Sequence, residues 1–320
     1  MVNSPRENIP SPDRKLSDPS IPGFSIPSLS ILSEIISHKQ QEVSLAQKKL
    51  PLDEVKRKNH DFQPTPWLTN LRATSQRPHT VIAEIKRASP SRGLFAPGLD
   101  PIATAIDYAR SGASAISVLT DEKYFNGQLD FIKQIKQEFS RLQLSTSLPP
   151  VPLLRKDFII NTYQVWETRN AEADALLLIA SALSLDLIKE LIKESVEAGL
   201  GMLIETHNIA EVHRVLEVCT VVPESKSLVA LGINNRNLNS FTVDISTTEN
   251  ILKETLSSIQ DILGANAVIV SESGISSSGE MARLSLAGAT AFLIGESLIM
   301  DSNTTSDSPG SRLKKLISPA

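Results

Sequence analysis

Residues 175–205 read ALLLIASALSLDLIKELIKESVEAGLGMLIE, and the architecture can be worked out from them. The segment opens with a short continuous apolar run, ALLLI, which is typical of a strand buried on both faces. Apolar residues at helical spacing follow, and the small-residue joint EAGLG leads at once into a second apolar run, GMLIE. A glycine at the end of a helix, directly before a strand, is typical of a parallel sheet. The segment therefore predicts one strand–helix–strand unit.

The same unit recurs along most of the chain. Strand-like apolar runs occupy residues 81–86, 115–119, 151–155, 175–179, 201–205, 229–234, 267–272 and 291–294. Amphipathic helical segments lie between them, and several meet the next run through small-residue joints such as SGASA and LGANA. Eight such units predict an α/β fold, the (β/α)8 TIM barrel. The alternative is a doubly wound open sheet, but no G-x-G-x-x-G follows any run, which weakens a dinucleotide-binding version of it.

The barrel is predicted to be a single catalytic domain over residues 30–300, with a tail at each end. Apolar residues at helical spacing from Ser30 onward predict an extra N-terminal helix. Residues 1–29 are rich in proline and serine and predict a disordered tail. Residues 301–320 predict a polar tail with a short final helix around LKKLI. Acidic residues in the first tail argue against a transit peptide, so we expect a cytoplasmic protein, with a plastid as the alternative.

The composition limits the classes of partner. The 320 residues are 41% hydrophobic and 21% charged, which is enough for one large core. A formal net charge of -4 gives no reason to expect nucleic acid or an anionic membrane as a partner. The apolar runs are far shorter than the roughly 20 residues of a membrane helix. Cys219 is the single cysteine, which excludes an intrachain disulfide framework and cysteine-based zinc sites. We expect a soluble protein, a monomer or weak homo-oligomer.

Polar residues gather at the carboxyl ends of the predicted strands, where barrel enzymes carry their sites. Glu84 and Lys86 lie on the same face of the first run, because side chains alternate along a strand. The other runs end at or near Thr120, Lys156, Glu205, Asn234, Glu272 and Ser273. A ring of ion pairs that stabilises the barrel mouth is the alternative, but such a ring needs neither two lysines nor adjacent glycine-rich loops. A lysine and a glutamate on facing strands suit a general acid and a general base.

The loops after the last two runs indicate an anion site. SESGISSSGE and IGESL place Gly274 and Gly295 just ahead of predicted helices, with Ser276–Ser278 as candidate caps. Free backbone N–H groups and the helix dipole favour phosphate at such positions, although ordinary turn glycines would look similar. The loops after the seventh and eighth strands are the usual phosphate site of this barrel. We therefore expect a small phosphorylated substrate.

Eight segments of the chain resemble the signature segments of one family. In chain order they are IAEIKRASPSRG, SVLTDEKYFNG, LRKDFI, ALLLIA, LIETHN, LGINNRNL, VSESGI and FLIGESL. In this order they look like indole-3-glycerol phosphate synthase, and the resemblance covers residues 30–300. The first segment is highly specific, whereas SESGI and IGES are shared with other phosphate-binding barrels.

The resemblance implies a tryptophan-pathway carbon-carbon lyase (a carboxy-lyase) that needs no cofactor and no metal. The implied reaction closes 1-(2-carboxyphenylamino)-1-deoxyribulose 5-phosphate to indole-3-glycerol phosphate with loss of carbon dioxide and water. By motif, Lys156 matches the general acid that protonates the ribulose carbonyl, and Glu205 matches the base of the later dehydration. Glu84 and Lys86 match the pair that organises this chemistry. We expect Lys86 and burial to lower the pKa of Lys156.

The same resemblance implies the substrate contacts. Ser89 matches a residue near the anthranilate carboxylate, and Phe125 and Leu177 match apolar walls around the aromatic ring. The further substrate-binding residues that it implies are Asn234, Arg236, Glu272 and Ser273. The implied phosphate cradle consists of Gly274, Gly295 and Glu296. Glu296 stands where some relatives carry serine, so only its backbone N–H is expected to serve phosphate. Transient contact with other tryptophan-pathway enzymes is a further expectation.

Two other functions remain open on the sequence. One is a sister barrel of the same pathway, phosphoribosylanthranilate isomerase or tryptophan synthase α. The isomerase would normally use a cysteine and an aspartate, but Cys219 lies near the end of a predicted helix, away from any strand mouth. The other is a catalytically inactive barrel that serves as a binding scaffold. The intact set of Lys156, Glu205, Glu84 and Lys86 argues against a scaffold.

Two histidines and one dipeptide are left out of the predicted site. His207 and His213 lie on or beside the fifth helix and do not face the same way, so both are interpreted as solvated. Ala180 and Ser181 follow the fourth run, where relatives more usually carry valine with lysine or alanine. The sequence offers no interpretation of that change.

Overall fold

The computed structural model describes residues 31–58, 61–74, 79–146, 148–238, 240–300 and 307–318. Its centre is a closed barrel of eight parallel strands, in which consecutive strands pair and the eighth returns to the first. The strands are β1 (Val81–Ile85), β2 (Ala115–Leu119), β3 (Leu153–Lys156), β4 (Ala175–Ile179), β5 (Gly201–Thr206), β6 (Val229–Asn234), β7 (Ile269–Glu272) and β8 (Ala291–Ile294). This confirms the predicted (β/α)8 barrel. The tail predicted at residues 1–29 lies outside the described residues.

Four strands, β1, β3, β5 and β7, differ from the predicted bounds by one or two residues at their ends. The sequence predicts a third strand from residue 151, but β3 begins at Leu153. Pro152 has no N–H to donate to the ladder, and its carbonyl accepts the N–H of Ile116. The sequence also includes Lys86 in the first strand, but β1 ends one residue earlier. Lys86 therefore opens the loop after β1, which folds back as a short hairpin of Ala88–Ser89 with Gly93–Leu94.

Helices surround the barrel and cover its two ends. They are α1 (Ile31–Lys49), α2 (Leu52–Arg57), α3 (Trp67–Leu71), α4 (Pro101–Arg110), α5 (Glu122–Phe125), α6 (Asp130–Thr146), α7 (Thr162–Asn170), α8 (Leu185–Glu197), α9 (Ile209–Val221), α10 (Ser246–Leu263), α11 (Ser278–Ala287), α12 (Glu296–Met300) and α13 (Pro309–Ile317). Short 3₁₀ helices lie at Ala180–Ala182 and Pro223–Ser227. Among the described helices, none is long and apolar enough to cross a membrane.

An apolar core fills the barrel below its mouth, and α3 closes the lower end. Because side chains alternate along a strand, one set of strand residues points into the barrel while the other packs under the helices. Trp67 of α3 belongs to the inner cluster and is buried. A Cβ at Gly201, where β5 begins, would come within 2.5 Å of the Trp67 side chain. Glycine is therefore needed at this position for the tryptophan to close the barrel.

The N-terminal helix α1 is fastened to the upper rim by buried charges. Lys39 of α1 forms ion pairs with Asp121, 3.0 Å away after β2, and with Asp157, 2.9 Å away after β3. Tyr124 of α5 donates a 3.0 Å hydrogen bond to Glu34 of α1. The predicted extra helix is therefore present, and it lies against the mouth of the barrel.

The final helix α13 packs on the barrel beside α4 and α12. The Arg312 side chain donates to the carbonyl oxygen of Leu298 at 2.7 Å. The N–H of Gly310 donates to the carboxylate of Asp107 of α4, also at 2.7 Å. These contacts attach α13, which follows the last barrel strand, to the outer helices α4 and α12.

Candidate active site

A cavity of about 790 Å³ opens at the carboxyl ends of the strands. Its wall includes every residue that the sequence assigns to the site, which are Glu84, Lys86, Ser89, Phe125, Lys156, Leu177, Glu205, Asn234, Arg236, Glu272, Ser273, Gly274, Gly295 and Glu296. Thr120 was noted at a strand end as well, but its hydroxyl donates to Asp157 at 2.7 Å beneath the rim. The barrel thus brings together side chains from loops and strands that are far apart in the sequence.

Lys156 lies at the end of β3 among carboxylates. Its Nζ is 3.5 Å from Oε2 of Glu205, and the charges of Glu84 and Glu272 also act on it. Burial would lower the pKa of Lys156, but the three carboxylates outweigh burial and raise the pKa above its ordinary value. The expectation of a lowered pKa is therefore wrong, because the nearby acids contribute more than burial. At neutral pH this lysine carries its proton.

Glu84 and Lys86 form a close pair at the end of β1. The Nζ of Lys86 is 2.9 Å from Oε1 of Glu84. Burial favours the protonated form of Glu84, but Lys86 and then Lys156 outweigh it and lower its pKa. The Glu84 carboxylate lies against the backbone of Gly295, where a Cβ would come within 2.8 Å of Oε1. A side chain at position 295 would therefore displace the pair.

Glu205 and Glu272 are buried neighbours with opposite protonation preferences. Burial raises the pKa of Glu272, and the charge of Glu205 raises it further. For Glu205, burial acts in the same direction, but Lys156 and His207 outweigh it and lower its pKa. A proton therefore binds more readily to Glu272 than to Glu205. A Cβ at position 232 of β6 would collide with the Glu272 carboxylate, so the glycine at this position leaves space for Glu272.

His207 is part of this charged cluster, so its interpretation as a solvated residue is wrong. Its Nε2 lies 3.3 Å from Oε1 of Glu205, and its Nδ1 lies 3.4 Å from Oε2 of Glu211. Burial would lower the pKa of His207, but the two carboxylates raise it to about 10. His213 is exposed on α9, as expected. Helical spacing correctly predicted that the two histidines face different ways. It could not show that the His207 ring lies beside the Glu205 carboxylate.

Two arginines and Glu296 form a bridge at the rim of the cavity. Arg92, in the loop after β1, lies 2.7 Å from Oε1 of Glu296, and Arg236, after β6, lies 3.8 Å from Oε2. Arg236 also donates to the carbonyl oxygen of Phe241 at 3.2 Å. Arg92 is not among the residues predicted for the site, although it lies in the specific segment IAEIKRASPSRG. Cationic groups from two loops therefore lie beside the predicted phosphate site.

The backbone near the predicted phosphate cradle is unusual. Ser273 and Gly274, directly after β7, both have positive φ, 69° and 79°. Among the candidate caps, Ser277 caps α11, and its partner Glu280 accepts the backbone N–H groups of Ser276 and Ser277. Those two N–H groups are therefore committed to the capping box. Gly274 and Gly295 remain in the cavity wall as the predicted cradle.

Apolar residues line the side of the cavity opposite the rim arginines. The rings of Phe125 and Phe158 have centroids 6.1 Å apart and an interplanar angle of 39°. Leu177 of β4 and Ile35 of α1 also face the cavity. Phe158 was missed at the sequence level, although it follows the RKD of the third motif. Ile35 carries no sequence signal of its role, since the position of α1 depends on contacts with distant loops.

Comparison with known proteins adds evidence from sequence and from fold. A family model for indole-3-glycerol phosphate synthase matches residues 32–308. A protein named indole-3-glycerol phosphate synthase from Roseiflexus sp. (strain RS-1) is 39% identical over 84% of this chain and 93% of that protein. A protein of the same name from Microcystis aeruginosa is 38% identical over 84% of each.

Solved structures share the fold at low sequence identity. A flavocytochrome b2 variant with sulfite bound has a TM-score of 0.54 at 13% identity, covering 80% of this chain and 69% of that one. A mandelate oxidase mutant with (S)-mandelic acid has a TM-score of 0.51 at 12% identity, covering 83% and 90%. These similarities concern the barrel alone. The family match and the curated relatives, together with the charged mouth, show that this chain belongs to the indole-3-glycerol phosphate synthase family.

Proposed function

We propose that this chain closes 1-(2-carboxyphenylamino)-1-deoxyribulose 5-phosphate to indole-3-glycerol phosphate, with release of carbon dioxide and water, as a step of tryptophan biosynthesis. The observation that carries the proposal is the pair of half-buried Lys156 and buried Glu205 on the wall of a cavity with an apolar side and a cationic rim. The reaction makes it a carbon-carbon lyase. Protonation, decarboxylation and dehydration need acid, base and charge stabilisation, which side chains supply without a cofactor.

The first chemical step needs a proton donor at the ribulose carbonyl. As the aromatic ring carbon attacks the carbonyl carbon, the oxygen gains negative charge and takes a proton from Lys156. The carboxylates around Lys156 keep it as an ammonium at neutral pH, so the proton is in place before the attack. The new carbon–carbon bond forms at the ring carbon that bears the carboxylate, and loss of carbon dioxide restores the aromatic system.

The second step eliminates water and needs a base. Glu205 is ionised because Lys156 and His207 lower its pKa, so it can take the proton from the carbon next to the former carbonyl carbon. The carbon–oxygen bond then breaks, and the hydroxyl group leaves as water with a proton from Lys156, which solvent has reprotonated after the first step. Glu84 and Lys86 form the adjacent ion pair, 2.9 Å apart, in which Lys86 would hold the substrate's anionic groups near the two reacting residues. Lys156 and Glu205, which lie 3.5 Å apart, thereby serve successive steps of the reaction.

The cavity wall suggests how the substrate would lie. Phe125 and Leu177 would hold the aromatic ring on the apolar side. Ser89, which is buried at the start of the hairpin, would bind the ring carboxylate. The phosphate would lie at the opposite end against Gly274 and Gly295. The remaining predicted contacts to the ribulose chain are Asn234, Arg236, Glu272 and Ser273.

The experiment that tests the proposal is an assay of indole formation. Purified protein is mixed with the anilino-ribulose phosphate, and the indole product is followed by fluorescence and identified by mass. We expect turnover that saturates with substrate and needs no added metal or cofactor. Folded protein that binds the substrate without forming product would instead support the binding-scaffold alternative.

A further inference from the structure

His207 occupies a built position behind Glu205. It directly follows β5, so its backbone is held by the strand that carries Glu205. Its own N–H donates to Oε2 of Glu211 at 2.8 Å, and its ring Nδ1 lies 3.4 Å from the same oxygen. The other oxygen of Glu211 accepts from the Asn208 side chain at 2.7 Å. Glu211 is thus oriented by the two residues that precede α9, and it fixes the imidazole in turn.

The carboxylate of Glu205 lies between two cations. Its Oε2 faces Lys156 at 3.5 Å, and its Oε1 faces Nε2 of His207 at 3.3 Å. The Nε2 atom is buried and is not aligned for a hydrogen bond with any described residue. Its interaction with Glu205 is therefore one of charge and proximity. The imidazole cannot contact the substrate cavity as Lys156 does, because it is not in the cavity wall.

We propose that His207 is a positioning residue which, as an imidazolium held by Glu211, keeps the shared carboxyl proton on Glu272 and leaves Glu205 free to act as the base. The proposal rests on the proposed function, since it assigns a role within the same site. Its physical basis is the asymmetry of the acid pair. Glu205 has a cation at each oxygen, whereas Oε1 of Glu272 is buried without a hydrogen-bond partner among the described residues. A proton therefore binds more favourably to Glu272.

The charge of His207 is set by groups on several elements. Glu205 faces it from β5 and Glu211 from α9, and both raise its pKa, which reaches about 10 although burial acts in the opposite direction. Lys156 of β3 and Glu272 of β7 lie across Glu205 and belong to the same cluster. Removal of the imidazolium leaves only Lys156 and the Asn234 side chain, among the groups that lower the pKa of Glu205, to stabilise its anion. The proton would then shift toward Glu205, and the base would be blocked.

The test compares His207→Gln with His213→Gln. Glutamine keeps a polar side chain at position 207 but cannot carry a positive charge, and His213 is an exposed histidine farther along the same region. For His207→Gln we expect kcat at pH 7 to fall by about tenfold or more, as for other groups that orient a functional side chain. We expect little change in KM, and the acid limb of the kcat profile should rise by about one pH unit. His213→Gln should match the wild type in all three measurements.

Two further measurements keep the test independent of the folding of one variant. Glu211→Gln leaves His207 and Glu205 in place but removes the carboxylate that holds the imidazole, so it should shift the acid limb in the same direction. Imidazole nitrogen shifts of the wild-type protein, read by NMR, should show His207 doubly protonated at pH 8. A His207 signal that titrates near the ordinary value of 6.5 would overturn the proposal.

The outcomes separate this proposal from the proposed function. An active wild type whose His207→Gln variant keeps the same kcat profile would overturn the role of His207 and leave the proposed function intact. A wild type with no indole formation would overturn the proposed function, while the NMR charge state would still report whether His207 is an imidazolium. If His207→Gln lowered the free energy of unfolding but left the acid limb of the kcat profile unchanged, His207 would have only a packing role, and the proposal would be overturned.

Discussion

The two ends of the barrel are built on the same strands and have opposite chemistry. Near the closed end, inward positions carry hydrocarbon, as at Leu154 and Leu203, and α3 covers them with Trp67. Two residues farther along the same strands, the inward positions carry Lys156 and Glu205. The change from an apolar layer to a charged layer takes one strand repeat. The barrel therefore places its packing and its chemistry in adjacent layers.

Both ends contain a pair of a half-buried lysine and a buried carboxylate, and the surroundings of the two pairs differ. At the closed end, Lys136 pairs with Asp174 at 2.5 Å, and Asp174 also accepts the N–H groups of Thr65 and Leu153 at 2.6 Å each. That carboxylate has a full set of fixed partners. At the mouth, Lys156 is shared among several carboxylates and lies on a cavity wall. The comparison indicates that satisfied charges stabilise the fold, whereas shared charges remain available to a substrate.

The largest expected effect is that of Lys156→Met at the mouth. Loss of the proton donor should lower kcat by about 10²- to 10⁴-fold, the usual range for general acid–base catalysis, while largely sparing substrate affinity. Steady-state fluorescence of indole formation at saturating substrate measures kcat, and equilibrium binding of the substrate measures affinity. A variant that keeps more than about a tenth of the wild-type kcat would remove Lys156 from the role of acid.

Lys136→Met is the matched control, because it makes the same substitution in the pair at the closed end. It should leave kcat unchanged and lower stability, since Asp174 loses its cation but keeps two backbone donors. We expect a loss of about 1–3 kcal/mol, the cost of a buried polar group that loses one partner. Equal losses of kcat in the two variants would show that the ends are not functionally separate.

The second prediction concerns the closed end itself, through Trp67→Ala. Trp67 packs on Gly201 and fills the lower end of the barrel, so its truncation leaves a cavity that the strands cannot close. We expect a loss of about 3–5 kcal/mol in the free energy of unfolding, the usual range for a large buried aromatic residue. Urea unfolding measures it, and kcat per folded molecule should stay close to the wild-type value.

How much of the fold follows from the sequence can be judged from β4 and α3. The run ALLLI at residues 175–179 predicted β4 with the correct bounds, because a strand buried on both faces requires continuous apolar residues. The five-residue helix α3 was not predicted. Its residues form too short a segment for a periodic signal, and their burial depends on a glycine, Gly201, that is remote in the sequence. Local patterns therefore predicted the strands but could not predict the helix that closes the barrel.

The site shows the same division between local and distant information. The position of Lys156 on the cavity wall follows from the rule that polar residues at strand ends meet at one rim. Its protonation state does not follow from that rule. The expectation relied on Lys86, whereas Glu205, 49 residues away in the chain, approaches Lys156 to 3.5 Å and favours the ammonium. A pKa depends on distances between strands, which no local sequence pattern specifies.

The third prediction concerns the ion cluster that fastens α1 to the mouth. Burial would raise the pKa of Asp157, but Arg155 and Lys39 outweigh it and lower the pKa below the ordinary 3.8. Burial would lower the pKa of Lys39, but Asp157 and Asp121 raise it above the ordinary 10.5. The contribution of ionised Asp157 to the free energy of unfolding is therefore complete above about pH 5 and is lost as pH falls. The contribution of Lys39 is complete below about pH 10 and is lost as pH rises.

Lys39→Met should lower the free energy of unfolding by about 2 kcal/mol at pH 7. The loss is smaller than for a fully isolated buried charge, because Arg155 and Thr120 still contact Asp157. Thermal unfolding of wild type and variant at pH 7 and pH 3 measures the difference. The difference in the free energy of unfolding between wild type and variant should be smaller at pH 3, as Asp157 approaches protonation. A difference that grows as pH falls would show that the Lys39–Asp157 ion pair does not stabilise the fold.

The smallest expected effect lies at the outermost layer of the mouth, where Glu296 occupies the space between Arg92 and Arg236. A substrate phosphate at Gly274 and Gly295 would compete with this carboxylate for the two arginines. Glu296→Gln should therefore lower KM by about two- to fourfold with kcat unchanged, in keeping with the modest strength of partly exposed ion pairs. The decrease in KM should shrink as salt is added, because salt screens the interaction.

The matched control is Glu249→Gln, since Glu249 forms an ion pair of similar exposure with Arg283 on the outer helices, and neither residue lines the cavity. It should leave KM and its salt dependence unchanged. If Glu296→Gln instead raises KM, the carboxylate holds the arginines in the geometry that phosphate needs, and it assists binding. If both variants lower KM equally, the effect comes from the net charge of the protein. Glu296 would then not compete with substrate phosphate for the two arginines at the mouth.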